Sequence, residues 1–346
     1  MPASGGPYRE REARPARRLG RYALLEQRDD SMIGARWIAA LETARASGAT
    51  RPALHVVEIA PAIAERARSA RALDRGDSAF AGRDDSDSAA AGRDQLRDLV
   101  DVTDAALEAV HEVDLGDAAL IASSLVAGER LSRVAADEPR VTALAGAALA
   151  AHVVAEAARG AGALHRAGLA HGAITPRRVI IGYDGAITLV GAVEAALLPF
   201  ADAHAQHEAR GEIAYRAPEV LGGARASATT DVLSLGVLAW ELVARASPFR
   251  RATARATLEA ASACAPPPLP ASCPRAVARV VEAALARDPS ARPRDGDDLA
   301  NALRAAAGVD AKTGQRALAA HMRAWFDRER AALDARLTSL GLATPG

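Results

Sequence analysis

The stretch HGAITPRRVIIGYDGAITLVGAV, residues 171–193, decides the fold. An apolar helical run precedes it, ending LHRAGLA at 164–170. Val179-Ile180-Ile181 is apolar and β-branched, so it reads as a short buried strand. Tyr183-Asp184-Gly185 reads as a turn in which Gly supplies positive φ, and 187–190 as the returning strand. The order is helix, loop, hairpin, then a long irregular segment. Three further stretches follow in fixed order: GEIAYRAPE at 211–219, DVLSLGV at 231–237 running on to Trp240-Glu241-Leu242, and LARDPSARP at 285–293.

Together these stretches resemble the catalytic core of the Ser/Thr protein kinases, in particular the bacterial Hanks-type branch. The family pattern is H-R-D-L-K-P-x-N, a hairpin, then D-F-G. His171 matches the His, Ile174 the Leu and Pro176 the Pro. Gly172 stands at the Arg, Ala173 at the catalytic Asp, Thr175 at the Lys and Arg178 at the Asn. Gly191-Ala192-Val193 stands where D-F-G is expected. The later stretches resemble the end of an activation segment with an intact A-P-E, the buried helix D-V-W-S-L-G-V, and the late motif that carries an Arg. The resemblance covers about 22–308 and is weaker in the first part.

What the resemblance implies is an α+β, two-lobed protein-kinase-like fold, with a small antiparallel β-sheet N-lobe and a mainly α-helical C-lobe. The expected organisation is a disordered basic tail at 1–20 and an N-lobe at 21–126 carrying an acidic flexible insertion at 74–94. A C-lobe at 127–308 and an amphipathic helix at 309–346 follow. Five residues are expected to hold the scaffold. His171 packs in the loop, and Asp231 holds the loop backbone. Pro218 and Glu219 end the activation segment. Glu219 pairs with Arg292, both largely buried.

In the N-lobe, 22–27, 35–41 and 53–60 read as the first three strands, and 106–113 and 118–126 as the fourth and fifth. Where the family carries G-x-G-x-x-G over the nucleotide phosphates, this chain has DDSMIG at 29–34, and only Gly34 survives. Two carboxylates there would face phosphate with like charge. Arg36 falls where the family places a Val over adenine, and His55 falls at the nucleotide-gripping Lys. His is shorter and mostly neutral at pH 7, and reads here as an ordinary strand residue. Glu65 is a candidate for the regulatory-helix Glu by proximity alone. Residues 125–129 resemble the hinge, and 141–165 the long central helix.

Phosphoryl transfer is mostly positioning and charge neutralisation. Its four roles fall on Ala173, Arg178, Gly191 and His55. Glu194, three residues past the metal-binding position, is the one carboxylate near enough to offer a metal contact. The reading is therefore a pseudokinase, a protein-binding or scaffolding module, with no catalytic, nucleotide-binding or metal residue and no cofactor. ATP·Mg²⁺ binding is not expected. The alternative is a Ser/Thr protein kinase that retains ATP binding or uses displaced catalytic groups. Restoring Asp at Ala173 or Gly191 is expected to be near neutral for stability.

Composition narrows the rest. Formal net charge is zero over 346 residues, which argues against a general nucleic-acid binder. Lys312 is the only lysine and Asn301 the only asparagine. That bias could reflect genome composition, but a catalytic Lys cannot be exchanged freely for Arg. Cys264 and Cys273 read as free or buried thiols. No signal-peptide pattern is seen, and the most apolar stretch, 141–155, contains His152 and is too short to span a bilayer. A cytoplasmic protein with a protein partner, and no membrane or nucleic-acid partner, is expected. The last helix carries Leu318, Met322, Trp325 and Phe326 at helical spacing and either packs on the C-lobe or docks a partner.

Overall fold

The computed structural model describes residues 17–31, 33–42, 51–73, 96, 98–116, 118–136, 146–197 and 212–343; for 29–31 and 68–73 only the backbone is described. The acidic insertion and most of the basic tail lie outside these residues. The tail differs from expectation at its end: Arg17–Leu19 is a strand, β1, paired antiparallel with the start of β2 (Tyr22–Ser31).

β1 and β2 continue into β3 (Gly34–Leu41), β4 (Arg51–Pro52) and β5 (Leu54–Ile59). Helix α1 (Pro61–Leu73) follows, then β6 (Val110–Asp114) and β7 (Leu120–Ser124). The six-stranded antiparallel sheet has the order β1-β2-β3-β5-β7-β6. Side chains alternate between its faces. Ile38, Ala40, Val57, Ile59 and Ile121 join the main core, while Tyr22, Leu24, Ala39, Leu54, Val56, Leu120 and Ala122 form a second cluster. The fourth and fifth strands are shorter than the sequence suggests. Of 106–109, only Leu107 makes a β-bridge, to Leu189.

The glycine-loop position is not an open loop. β2 runs to Ser31, β3 starts at Gly34, and Ser31 pairs with Gly34 in register. Gly34 is needed for packing: a Cβ there would lie 1.8 Å from the Glu58 carbonyl oxygen on β5. Ile33 is fully buried.

After β8 (Gly128–Arg130) the chain is mainly helical. α2 (Leu131–Val134) leads to α3 (Ala147–Arg166), followed by the hairpin β9 (Val179–Gly182) and β10 (Ile187–Leu189). The hairpin adds to β8 as a three-stranded sheet. α4 (Ala192–Leu197), α5 (Pro218–Leu221), α6 (Ala228–Ala244), α7 (Ala254–Ala263), α8 (Arg275–Ala284) and α9 (Gly296–Ala307) complete the C-lobe. α3 and α6 are apolar nearly all round, so they lie at the centre, and α3 packs on both α6 and α9. The last helix, α10 (Ala311–Ser339), kinks at Phe326 and ends in β11 (Leu342–Ala343). Leu318, Met322 and Phe326 are fully buried, and α10 packs on α3. No helix among the described residues is long and apolar enough to cross a membrane.

Candidate functional site

The loop between α3 and β9 is held from below by one carboxylate. Asp231, in the first turn of α6, is 1% exposed. Its Oδ2 accepts from the His171 backbone N–H (2.7 Å) and its Oδ1 from that of Gly172 (2.9 Å). Asp231 Oδ2 also lies 3.1 Å from His165 Nε2, while His165 Nδ1 accepts from the Gly296 N–H at 3.0 Å. The second contact places the imidazole proton on Nε2, so His165 donates to Asp231 as a neutral ring. A buried carboxylate with three donors and a helix N-terminus behind it is well satisfied.

His171 itself is 2% exposed. Its Nε2 donates to the Val190 carbonyl at 3.1 Å, tying the loop to the end of β10. Burial, with Arg178 nearby, holds its pKa down at about 4. Gly172 has φ +72° and Gly191 φ +84°, both in the left-handed region that Gly tolerates best.

Above this loop, charged groups from both lobes meet in the cleft. Glu194, in the first turn of α4, accepts from Arg36 Nη2 on β3 at 2.7 Å. Arg178 Nη1 lies 3.6 Å from the other Glu194 oxygen and donates to the Gly191 carbonyl at 2.7 Å. The three side chains are 12%, 15% and 5% exposed for Arg36, Glu194 and Arg178. Burial pushes the Glu194 carboxyl up, but Arg36 and Arg178 outweigh it and hold it below its ordinary value. A second carboxylate, Glu108, accepts from Ser123 Oγ (2.6 Å) and from the Gly191 N–H (2.9 Å). Burial pushes this one up despite both hydrogen bonds. His55 stands beside them in register, between Ile38 and Ser123.

Arg36, Arg178 and Glu194 thus form an ion cluster where the sequence comparison places the adenine-side Val, the metal-binding Asn and the region after D-F-G. Glu194 is engaged by two guanidiniums rather than open to a metal. Glu65, the proximity candidate, is exposed on α1; the cleft carboxylates are Glu108 and Glu194. Glu108 escaped the sequence reading because it lies outside every motif.

The activation-segment end is anchored to α6. Ser234 Oγ donates to the Tyr215 carbonyl at 2.7 Å, and the Tyr215 hydroxyl donates to Glu241. Thr175 Oγ1 donates to Glu212 at 3.3 Å. Pro218 occupies the first turn of α5, where its missing N–H is no loss. The structure brings Glu219 and Arg292 together as a bidentate pair, Nη1 to Oε1 at 2.6 Å and Nη2 to Oε2 at 3.1 Å. Arg292 spends its remaining donors on the carbonyls of Ala286, Thr229 and Arg287. One expectation needs correction: the Arg292 side chain is fully buried, but that of Glu219 is 23% exposed, so the pair is not symmetrically desolvated. A second correction concerns Gly191. A Cβ there would lie 2.2 Å from Arg178 Nη1 at a positive φ, so Gly191→Asp is not neutral.

With this geometry in hand, comparison with known proteins is informative. The family model for protein tyrosine and serine/threonine kinases matches residues 117–297. A serine/threonine-protein kinase of Corynebacterium efficiens is 31% identical over 160 residues, 45% of this chain and 30% of that protein. PknA of Mycobacterium tuberculosis is 32% identical over 141 residues, 41% of this chain and 33% of that protein. PkaA of Streptomyces coelicolor is 29% identical over 206 residues, 58% of this chain and 37% of that protein. The chain therefore spans about a third of the length of these relatives. A matching model over more than half of the residues, on a two-lobed frame of curled sheet and helices, places the chain in the protein tyrosine and serine/threonine kinase family.

Proposed function

We propose that this chain is a pseudokinase, a kinase-fold module that binds or presents a protein partner and does not transfer phosphate. The observation that carries the reading is the Arg36–Glu194–Arg178 cluster in the cleft. Mg²⁺ is held between phosphate oxygens and carboxylates. Here the nearest carboxylate is neutralised by two buried arginines, and Ala173 offers no group to accept a proton from a hydroxyl. The intact ties of Asp231 and of Glu219 with Arg292 keep the surface of a kinase C-lobe in shape. That combination suits a docking module. The proposed setting is the cytoplasm, in keeping with two buried cysteines that form no disulfide.

A thermal-shift titration with ATP, with and without Mg²⁺ or Mn²⁺, tests the reading. A ligand at 100 times its Kd stabilises by about 2.7 kcal/mol. The expected result is an unchanged Tm and no γ-phosphate transfer to the protein itself or to generic substrates. A saturable, metal-dependent upward shift would move the assignment to the second reading, an ATP-binding Ser/Thr kinase. That reading is favoured by the serine/threonine-protein kinase names of the relatives.

A further inference from the structure

The last helix touches both lobes. Near its start, Gly314 lies flat on the buried His152 ring of α3; a Cβ at Gly314 would be 2.3 Å from His152 Cγ. One turn on, the backbone at Gln315 and Ala319 receives the hairpin turn, since a Cβ at Gly185 would lie 2.1 Å from the Gln315 carbonyl oxygen. Midway, Glu329 pairs with Arg133 after α2 begins, at 2.9 Å, and the Arg133 guanidinium stands 5.3 Å from the Phe326 ring centroid. The kink at Phe326 redirects the second half of the helix. That half reaches the N-lobe: Arg336 donates to Glu26 of β2. β11 then pairs parallel with β4, Leu342 opposite Arg51 and Ala343 opposite Pro52. Arg51 Nη2 donates to the Leu340 carbonyl at 3.5 Å, and Leu337 and Leu342 are buried.

We propose that α10 and β11 form an interlobe strap that fixes the closure of the two lobes, whether or not a ligand occupies the cleft. The first half of the helix is welded to the C-lobe by buried apolar side chains and by two glycine contacts too close for any other residue. The second half holds the N-lobe by one ion pair and a two-residue strand. A two-residue strand pair is weak alone and works only as an extension of an anchored helix. The arrangement is that of a lever with a fixed end and a detachable tip. It complements the Arg36–Glu194 pair, which ties the lobes inside the cleft.

The lobes also share three hydrogen bonds whose amides report closure directly: Glu108 N–H to the Leu189 carbonyl (2.9 Å), Leu189 N–H to the Ala106 carbonyl (2.8 Å) and Gly191 N–H to Glu108 (2.9 Å). Amide hydrogen exchange at Glu108, Leu189 and Gly191 is compared between the full chain, the chain shortened by residues 340–346, and full-length Arg336→Glu. The shortened chain keeps the C-lobe half of α10, and Arg336→Glu keeps every residue, so neither is expected to unfold. The expected result is exchange at the three amides faster by about tenfold in the shortened chain and several-fold in Arg336→Glu, with α6 and α9 amides unchanged. Unchanged exchange at the three amides overturns the strap. So does an equal acceleration in α6 and α9, which would make the tip part of the global fold rather than a tie between lobes.

Discussion

An aspartate at position 191 would have to accept a φ of +84° and a Cβ 2.2 Å from Arg178 Nη1. Strain of this kind costs about 1–3 kcal/mol, and displacing the guanidinium would break its bond to the Gly191 carbonyl. Gly191→Asp is therefore expected to lower the denaturation midpoint clearly, while Ala173→Asp, at a partly exposed site, should leave it nearly unchanged. Equal effects in chemical denaturation would contradict this account of the loop. His171 makes a separate prediction through pH. Its folded pKa, about 4, lies below its ordinary 6.5, so the unfolded state takes up the proton first. Stability is then full above pH 6.5 and falls as pH drops toward 4, by roughly 3 kcal/mol from this group. His171→Gln should flatten the stability profile in that window; a profile of unchanged slope would show that the ring titrates normally.

Among the elements, the C-lobe was far more legible than the cleft. Its motifs are side chains that hydrogen-bond backbone a fixed distance away in the fold: Asp231 under the loop, Arg292 on three carbonyls, Pro218 at a helix start. Such residues must be of one type, so their letters can be read in the sequence. The cleft cluster could not be read that way. Arg36 and Glu194 are 158 residues apart, and each alone is an ordinary charged residue of an Arg-rich chain. β1 was hidden for the same reason, since its RRL run looks like a basic tail until it pairs with β2. The strap was half legible. The apolar spacing of Leu318, Met322 and Phe326 marks a helix that packs, but nothing in it points to β4. The pair that fastens α5 to the C-lobe carries its own prediction. Arg292→Ala leaves a carboxylate and three carbonyls without a donor, and should cost about 3–5 kcal/mol. Glu219→Ala leaves Arg292 with three carbonyl partners and better access to water, so it should cost less. The double variant should lose less than the sum. Because Arg292 holds the Glu219 carboxyl below its ordinary 4.5, although burial opposes this, the pair's contribution is present at neutral pH and is lost as pH falls below that value. Additive, equal losses in a double-mutant cycle would mark two independent charges.

For the molecule as a whole, two lobes are joined across a cleft by the Arg36–Glu194 pair, and this pair can be made to report on the joint. Both side chains are mostly buried, and Arg178 shares the carboxylate. Glu194→Ala strands two guanidiniums in the cleft, with nothing nearby to neutralise them except Glu108, whose carboxyl is pushed toward its neutral form. Breaking a buried pair in this way costs about 3–5 kcal/mol, a large part of a domain's stability of about 5–15 kcal/mol. Arg36→Leu removes one charge and leaves Glu194 with Arg178, so it should cost less, and Arg36→Leu/Glu194→Leu should recover part of the single loss at Glu194. The pH dependence has a definite sign. The folded Glu194 carboxyl lies below its ordinary 4.5, so its stabilisation holds above that value and fades as pH falls through the folded pKa. In wild type the urea midpoint should therefore drop on going from pH 7 to pH 3.5, and in Glu194→Ala it should drop less. The consequence is also spatial. If the cluster joins the lobes, Glu194→Ala should speed exchange at the Glu108 and Leu189 amides more than at any amide of α6. A variant that lowers the midpoint while leaving those two amides as protected as in wild type would show that the cluster stabilises the C-lobe alone.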